Sequence, residues 1–200
     1  MKLIVMTQPD FFVEEDKILT SLFDKGMEQL LLFKPDSSPV YSERLLSLIP
    51  EEYHEKIYVH EHFYLKNECS LGGIYLAHET QLPEHYKGNV CQSCHSIEQL
   101  RLAKKHATTV CLENVFDATP SETRSAYTQE ELKEAAKQGI IDKKVYASGH
   151  LTLENINLAK EVGFGGLVVC EDLWKLFNIQ HQDDYKELLQ HFEKLKKAVS

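Results

Sequence analysis

Residues 144–174, KVYASGHLTLENINLAKEVGFGGLVVCEDLW, decide the fold. Residues 145–147 and 167–170 are short apolar runs rich in valine, the pattern of parallel strands buried on both faces. Between them, Leu153, Ile156, Leu158, Ala159 and Val162 fall at roughly helical spacing. Gly163 stands where a helix C-terminus favours a left-handed residue. The stretch therefore predicts strand, helix, strand and the start of another helix. In a (β/α)8 barrel the turns after the last two strands often cradle a phosphate, so the same stretch marks a place to look for a ligand.

Outward from this unit the alternation continues. Residues 3–6, 29–33, 57–59, 90–92 and 108–112 read as strands, and another lies within 71–76 after a turn at Gly72 and Gly73. Residues 18–23 open an amphipathic helix that ends at Lys25 and Gly26, and 42–49 are helical. Ser96 caps a helix running to about His106. Thr128 caps the next, with Glu131 at the capping-box position. Residues 183–199 form an amphipathic closing helix, while 81–88 and 113–127 read as loops, the second holding Pro120. Strands alternating with helices predict a parallel α/β fold. No G-x-G-x-x-G turn follows the first strand, which favours a closed barrel over an open doubly wound sheet. The expectation is one domain over 1–200, a small (β/α)8 TIM barrel with a crossover helix abbreviated after the fourth strand.

Composition narrows the function classes. With 42% hydrophobic residues the chain can bury a sizeable core. The formal charge of −9 and the lack of any Lys/Arg-rich block argue against nucleic acid as a partner. No apolar run approaches the ~20 residues needed to span a bilayer, so no membrane association is expected. The first residues read as a strand rather than a signal peptide. The 5 cysteines suit buried free thiols in a reducing compartment, and a cytoplasmic location is expected.

Catalytic groups of such barrels lie at the C-terminal ends of the strands. Reading those ends in order gives Lys34; His60, Glu61 and His62; His78, Glu79 and Thr80; Ser93, Cys94 and His95; Glu113, Asn114 and Asp117; Ser148, Gly149 and His150; then Glu171 and Asp172. Imidazoles and carboxylates converging on one rim suit proton transfer, although a strand end is also simply where polar residues can sit. Lys34 could neutralise an anionic substrate, and Phe33 and Tyr75 could stack on a heteroaromatic ring or fill the barrel. Cys91-Gln-Ser-Cys94-His95 matches the C-x-x-C-H haem-attachment pattern. Haem attachment needs export, however, and Cys91 falls inside a buried strand. His60, His62, His78 and Cys94 lack a diagnostic metal spacing.

These residues, in this order, resemble the thiamine phosphate synthase/TenI superfamily along nearly the whole chain. The carriers are Gly26-Met-Glu-Gln-Leu-Leu-Leu-Phe-Lys-Pro35, Tyr58-Val-His-Glu-His-Phe-Tyr-Leu65 and Gly73-Ile-Tyr-Leu-Ala-His78. They continue through Ser93-Cys-His-Ser96, which stands for S-x-H-S, and Glu113-Asn-Val-Phe-Asp117, which stands for G/S-P-I/V-F. Ala147-Ser-Gly-His-Leu151 then stands for A-x-G-G-I, and Gly163-Phe-Gly-Gly-Leu-Val-Val169 for the G-x-x-G-V-A-V phosphate strand.

The resemblance implies two chemistries. TenI-like members tautomerise a thiazole carboxylate phosphate without a cofactor, and the implied acid/base is His95. Synthases join hydroxymethylpyrimidine pyrophosphate to thiazole phosphate and use Mg2+, for which Glu61 is the matching acid. Substrate contacts are implied for Lys34, His60, His62, Tyr75, His78, Ser93 and Asn114. Phosphate contacts are implied for Ser148, Gly149, His150, Gly165, Gly166, Val169 and Cys170. The partner is then a small phosphorylated thiazole or pyrimidine, and homo-oligomeric assembly is compatible with the resemblance. Four positions depart from the family pattern: Phe33 replaces an Arg, Ser121 sits near the place of a Lys, His150 replaces a Gly, and Glu171 stands beside the phosphate cup. These departures hurt the synthase more than the tautomerase, and they also motivate a third reading, a non-catalytic or redirected paralogue.

Overall fold

The computed structural model describes residues 1–77, 80–116, 127–177 and 185–200. Eight parallel strands close into a barrel in sequence order. They are β1 (Lys2–Met6), β2 (Gln29–Leu32), β3 (Ile57–His60), β4 (Gly73–Leu76), β5 (Asn89–Cys94), β6 (Thr109–Leu112), β7 (Val145–Ser148) and β8 (Gly166–Val169). Closure is direct: Leu3 of β1 registers with Leu167 of β8, and Ile4 with Val168. Outside lie α1 (Glu15–Asp24), α2 (Pro39–Leu48), α3 (Leu65–Glu68), α4 (Ile97–Ala103), α5 (Gln129–Lys137), α6 (Leu153–Val162), α7 (Glu171–Trp174) and α8 (Lys186–Val199). A 3-10 helix spans Glu51–Lys56. The described residues between β4 and β5 hold no helix, as expected for a barrel made with few residues.

The helix boundaries follow local chemistry. The Ser96 and Thr152 side chains accept the amides of Gln99 and Asn155, which have no partner in the first turn. Thr128 and Glu131 complete a capping box at the start of α5. Gly163 ends α6 at φ 96°, a conformation that costs glycine nothing. In α8, Leu188, Phe192, Leu195 and Val199 recur on one face and are buried.

The period of two along each strand sorts side chains into two layers. Leu3, Val5, Leu30, Leu32, Val59, Ile74, Val110, Leu167 and Val169 join the core between barrel and helices. Ile4, Leu31, Tyr75, Cys91, Cys111, Tyr146 and Val168 form a separate cluster inside the barrel. Within it, the thiols of Cys91 and Cys111 lie 3.5 Å apart, and among the described residues all five cysteines are free. No helix among the described residues is long and apolar enough to cross a membrane.

One interior feature is a buried ion pair. Lys34, just past β2, is 1% exposed. Its Nζ donates to Glu15 Oε1 and to the Asp10 carbonyl, each at 2.7 Å, and lies 4.5 Å from the Phe11 ring centroid. Glu15 Oε2 is buried and has no hydrogen-bond partner. Burial pushes the Glu15 carboxyl up from 4.5 to about 7 against the pull of Lys34, and burial lowers the Lys34 ammonium.

Candidate active site

A cavity of about 530 Å3 opens at the C-terminal ends of the strands. Its apolar wall is Met6, Phe33, Ala77, Cys111, Phe116 and Val168, with Tyr75 beside them. Its polar lining is Ser93, Glu113, Asn114, Ser148, Gly149, His150, Cys170, Glu171 and Asp172. The composition fits a ligand site, with aromatic walls and a few convergent polar groups.

Alternation along β5 and β6 builds the polar centre. Ser93 registers with Cys111, and Cys94 with Leu112. The Glu113 amide then donates to the Cys94 carbonyl at 2.9 Å, extending the ladder by one residue. Glu113 is thereby held beside Ser93 and His95. One carboxylate oxygen accepts the Ser93 hydroxyl. The other lies 2.7 Å from His95 Nδ1. Tyr75, whose hydroxyl is 2.9 Å from Ser93 Oγ, joins the same chain. Burial holds the Tyr75 phenol well above its usual range, so the group stays protonated. The backbone of His95 is pinned at both ends: its amide donates to Gln99 Oε1 at 2.7 Å, and its carbonyl accepts the Tyr127 hydroxyl at 3.0 Å.

His60, Phe33 and Tyr75 pack as one aromatic wall, with ring centroids 5.0 Å apart for Phe33–His60 and 5.8 Å for His60–Tyr75. His60 Nδ1 donates to the Tyr75 carbonyl at 3.2 Å, which orients the ring. Glu61 and His62 both have positive φ. Glu61 Oε1 is 3.8 Å from His60 Nε2, and His62 Nε2 donates to the Ser37 carbonyl at 2.8 Å. His78 lies outside the described residues, as do Glu79, Asp117 and Ser121. No group of three or more His, Cys, Asp or Glu among the described residues is placed to hold a metal ion. Glu61 is the matching acid after β3, Glu79 after β4 lies outside the described residues, and no step below is routed through Mg2+.

At the far end of the cavity, Asp172 organises the turns after β7 and β8. Its Oδ2 accepts the Leu151 amide at 2.6 Å, and its Oδ1 accepts Lys175 Nζ at 2.7 Å and His150 Nδ1 at 2.9 Å. Burial raises the Asp172 carboxyl, but the Lys175 and Leu151 hydrogen bonds and the Lys175 and His150 charges outweigh it, so it lies below its usual range. Of the residues expected at a phosphate, Ser148, Gly149, His150 and Cys170 line the cavity. Val169 faces the helices instead. Gly165 and Gly166 sit at the start of β8, the opposite end of the strand from the cavity. There a Cβ on Gly165 would lie 1.9 Å from the Lys143 carbonyl oxygen, so close packing explains that glycine.

The expected site thus divides. Tyr75, Ser93 and Asn114 line the cavity, whereas His60, His62 and His95 are not among its lining residues, and His95 is tied to it by its contact with Glu113. Lys34 is engaged with Glu15. Glu113 and Asp172 are strand-end acids to which the resemblance assigns no role. The signal for Glu113 is alternation: Cys91, Ser93 and His95 share parity on one strand, as Cys111 and Glu113 do on the next.

The chain matches solved structures over nearly its whole length. One is a thiamine phosphate pyrophosphorylase from Bacteroides thetaiotaomicron, 48% identical, with 99% of this chain and 97% of that one covered and a TM-score of 0.89. A thiamine phosphate pyrophosphorylase from Pyrococcus furiosus is 17% identical over 99% and 95% of the two chains, with a TM-score of 0.76. A 3-hexulose-6-phosphate synthase is 12% identical over 100% of each, with a TM-score of 0.61. The last two likenesses speak to the fold alone. No family model matches the chain, and no curated protein does. At 48% identity along almost the full chain to a thiamine phosphate pyrophosphorylase, and with the closed eight-stranded barrel, the protein belongs to the thiamine phosphate synthase/TenI superfamily.

Proposed function

We propose that the protein is a TenI-like thiazole tautomerase, with His95 as the group that removes and returns the proton. The observation that supports this reading is the pair made by His95 Nδ1 and Glu113 Oε2, 2.7 Å apart, of which Glu113 lines an aromatic-walled cavity. A carboxylate accepting from Nδ1 fixes the tautomer with its proton on that nitrogen, and the basic lone pair falls on Nε2. The ring of a thiazole carboxylate lies against Phe33 and Tyr75. Nε2 takes a proton from one ring position and returns it at another. The electron pair moves within the heterocycle, and nothing is oxidised or reduced. Glu113 offsets the charge of the imidazolium that forms between the two transfers. No cofactor is required, and the partner is one small heterocycle.

A second reading, thiamine phosphate synthase, is favoured by the name of the 48% identical structure. It calls for Mg2+ at Glu61 and for Lys34 on the pyrophosphate, and the Lys34 ammonium is engaged by Glu15 and the Asp10 carbonyl. The test assays purified protein for both reactions. Tautomerisation is expected, falling by about 10²–10⁴-fold in His95→Asn and unchanged by EDTA or Glu61→Ala. Tautomerisation that survives His95→Asn sinks the first reading. Coupling of pyrimidine and thiazole that stops in EDTA establishes the second.

A further inference from the structure

Counting protons fixes the sense of each hydrogen bond in the polar centre. Glu113 accepts on both carboxylate oxygens, from the Ser93 hydroxyl and from His95 Nδ1. A serine hydroxyl has a single proton, so Ser93 has none left for Tyr75. The 2.9 Å contact between the two hydroxyls is therefore donated by Tyr75. Burial keeps the phenol protonated, as this sense requires. The result is a one-way chain from Tyr75 through Ser93 to Glu113, with His95 donating to the same carboxylate from the other side. The opposite sense would set a Ser93 lone pair against the carboxylate oxygen, where like charges repel.

We propose that the Tyr75 hydroxyl is a positioning group for His95, acting through Ser93 and Glu113. The proposal rests on the tautomerase reading for His95 as the proton carrier, while the sense of the chain stands without it. A phenol donating into Ser93 polarises that hydroxyl and strengthens the bond Ser93 gives to Glu113. The carboxylate is then held in the orientation that brings its second oxygen to Nδ1. The far end of the chain is itself fixed. Tyr75 is 2% exposed, its ring meets Phe33 edge-on at a centroid distance of 6.2 Å, and its carbonyl takes His60 Nδ1. A chain anchored in packed groups holds its other end to a tighter geometry. Tyr75 thus has two separable parts: the ring walls the cavity, and the hydroxyl serves the imidazole.

Tyr75→Phe deletes the hydroxyl and keeps the ring. It is expected to lower kcat for tautomerisation about fivefold, the weight of one ordinary hydrogen bond, with KM unchanged because the wall remains. The 15N shifts of the His95 ring in the resting protein report which nitrogen carries the proton, without any turnover. The share protonated on Nδ1 should fall in Tyr75→Phe and fall further in Ser93→Ala. Adding Tyr75→Phe to Ser93→Ala should change the ring shifts no more, because the chain is already cut. Wild-type ring shifts in Tyr75→Phe overturn the proposal. An equal Tyr75→Phe effect with and without Ser93 also overturns it, since the phenol then acts through the wall, and so does a loss carried by KM alone. If the wild-type protein turns over no thiazole, the functional reading fails while the ring shifts still decide the chain. If Tyr75→Phe does not fold, Ser93→Ala decides, and unchanged His95 ring shifts there overturn the proposal.

Discussion

Glu113→Gln is expected to slow thiazole proton transfer by about 10²-fold or more while leaving the barrel folded. The figure follows from the acceptor count. The Ser93 hydroxyl and the His95 Nδ1–H converge on separate oxygens of one carboxylate. A glutamine keeps one acceptor oxygen and presents an NH2 at the other position. One of the two donors then faces another donor, and the imidazole is driven to the other tautomer or turned away. In a serine protease triad, the equivalent change at the orienting carboxylate costs about 10⁴-fold through the wrong tautomer. Glu113 acts through His95 as a positioning residue, so turnover alone is an incomplete readout. The 15N shifts of the His95 ring report which nitrogen carries the proton. They should reverse in Glu113→Gln and be restored in Glu113→Asp if the shorter acid still reaches. Unchanged ring shifts, with a rate within about threefold of wild type, would remove Glu113 from the mechanism.

The second large effect concerns stability. Lys34→Met is expected to destabilise the protein by about 3–5 kcal/mol, because it strands a buried carboxylate. Glu15 Oε1 loses its ammonium partner, and Oε2 already has none. The pH dependence has a definite sign. Above pH 4.5 the unfolded Glu15 gives up its proton, whereas the folded group holds it to about 7. The native state therefore binds more protons across that window, and unfolding free energy contributed by this group falls as pH rises through it. Without Lys34, the window extends to higher pH. Urea denaturation at pH 5 and pH 8 should show Lys34→Met losing more at the higher pH. Replacing both partners, Glu15→Leu with Lys34→Met, should recover most of the loss, since a buried pair exchanged for apolar side chains of similar volume is often neutral or better. A double variant no more stable than the single one would mean that the pair supports the fold by some route other than mutual charge compensation.

The fold was legible because strands buried on both faces carry unbroken apolar runs. Each expected strand appears within a residue or two of its place, from Lys2–Met6 to Gly166–Val169. Thr128 with Glu131, and Gly163, marked helix ends because capping is a local interaction between near neighbours. The 3-10 helix at Glu51–Lys56 and the single turn of α3 were not legible, since one turn carries too few residues to show a period, whereas α7 stands where a helix start was expected after β8. The site was legible as a rim but not as a wiring pattern. Lys34 reads as a cation at a strand end, and nothing local in the sequence says that Glu15, 19 residues earlier, takes its ammonium. Asp172 and the Leu151 amide likewise meet across 21 residues of chain. Gly165 and Gly166 look like phosphate-binding glycines by motif, yet they fall at the wrong end of β8 because a strand of four residues separates its two ends fully.

Ring closure has a consequence for how this molecule comes apart. In an open sheet an outer strand can detach and leave the others paired. Here β1 is held by β2 on one side and β8 on the other, and every strand has two neighbours. Freeing any one of them breaks two ladders and opens the cavity at the same moment. Fraying therefore has no cheap starting point within the sheet. The groups lining the cavity come from strands and turns around the ring, so they share the barrel's opening free energy rather than that of a local segment.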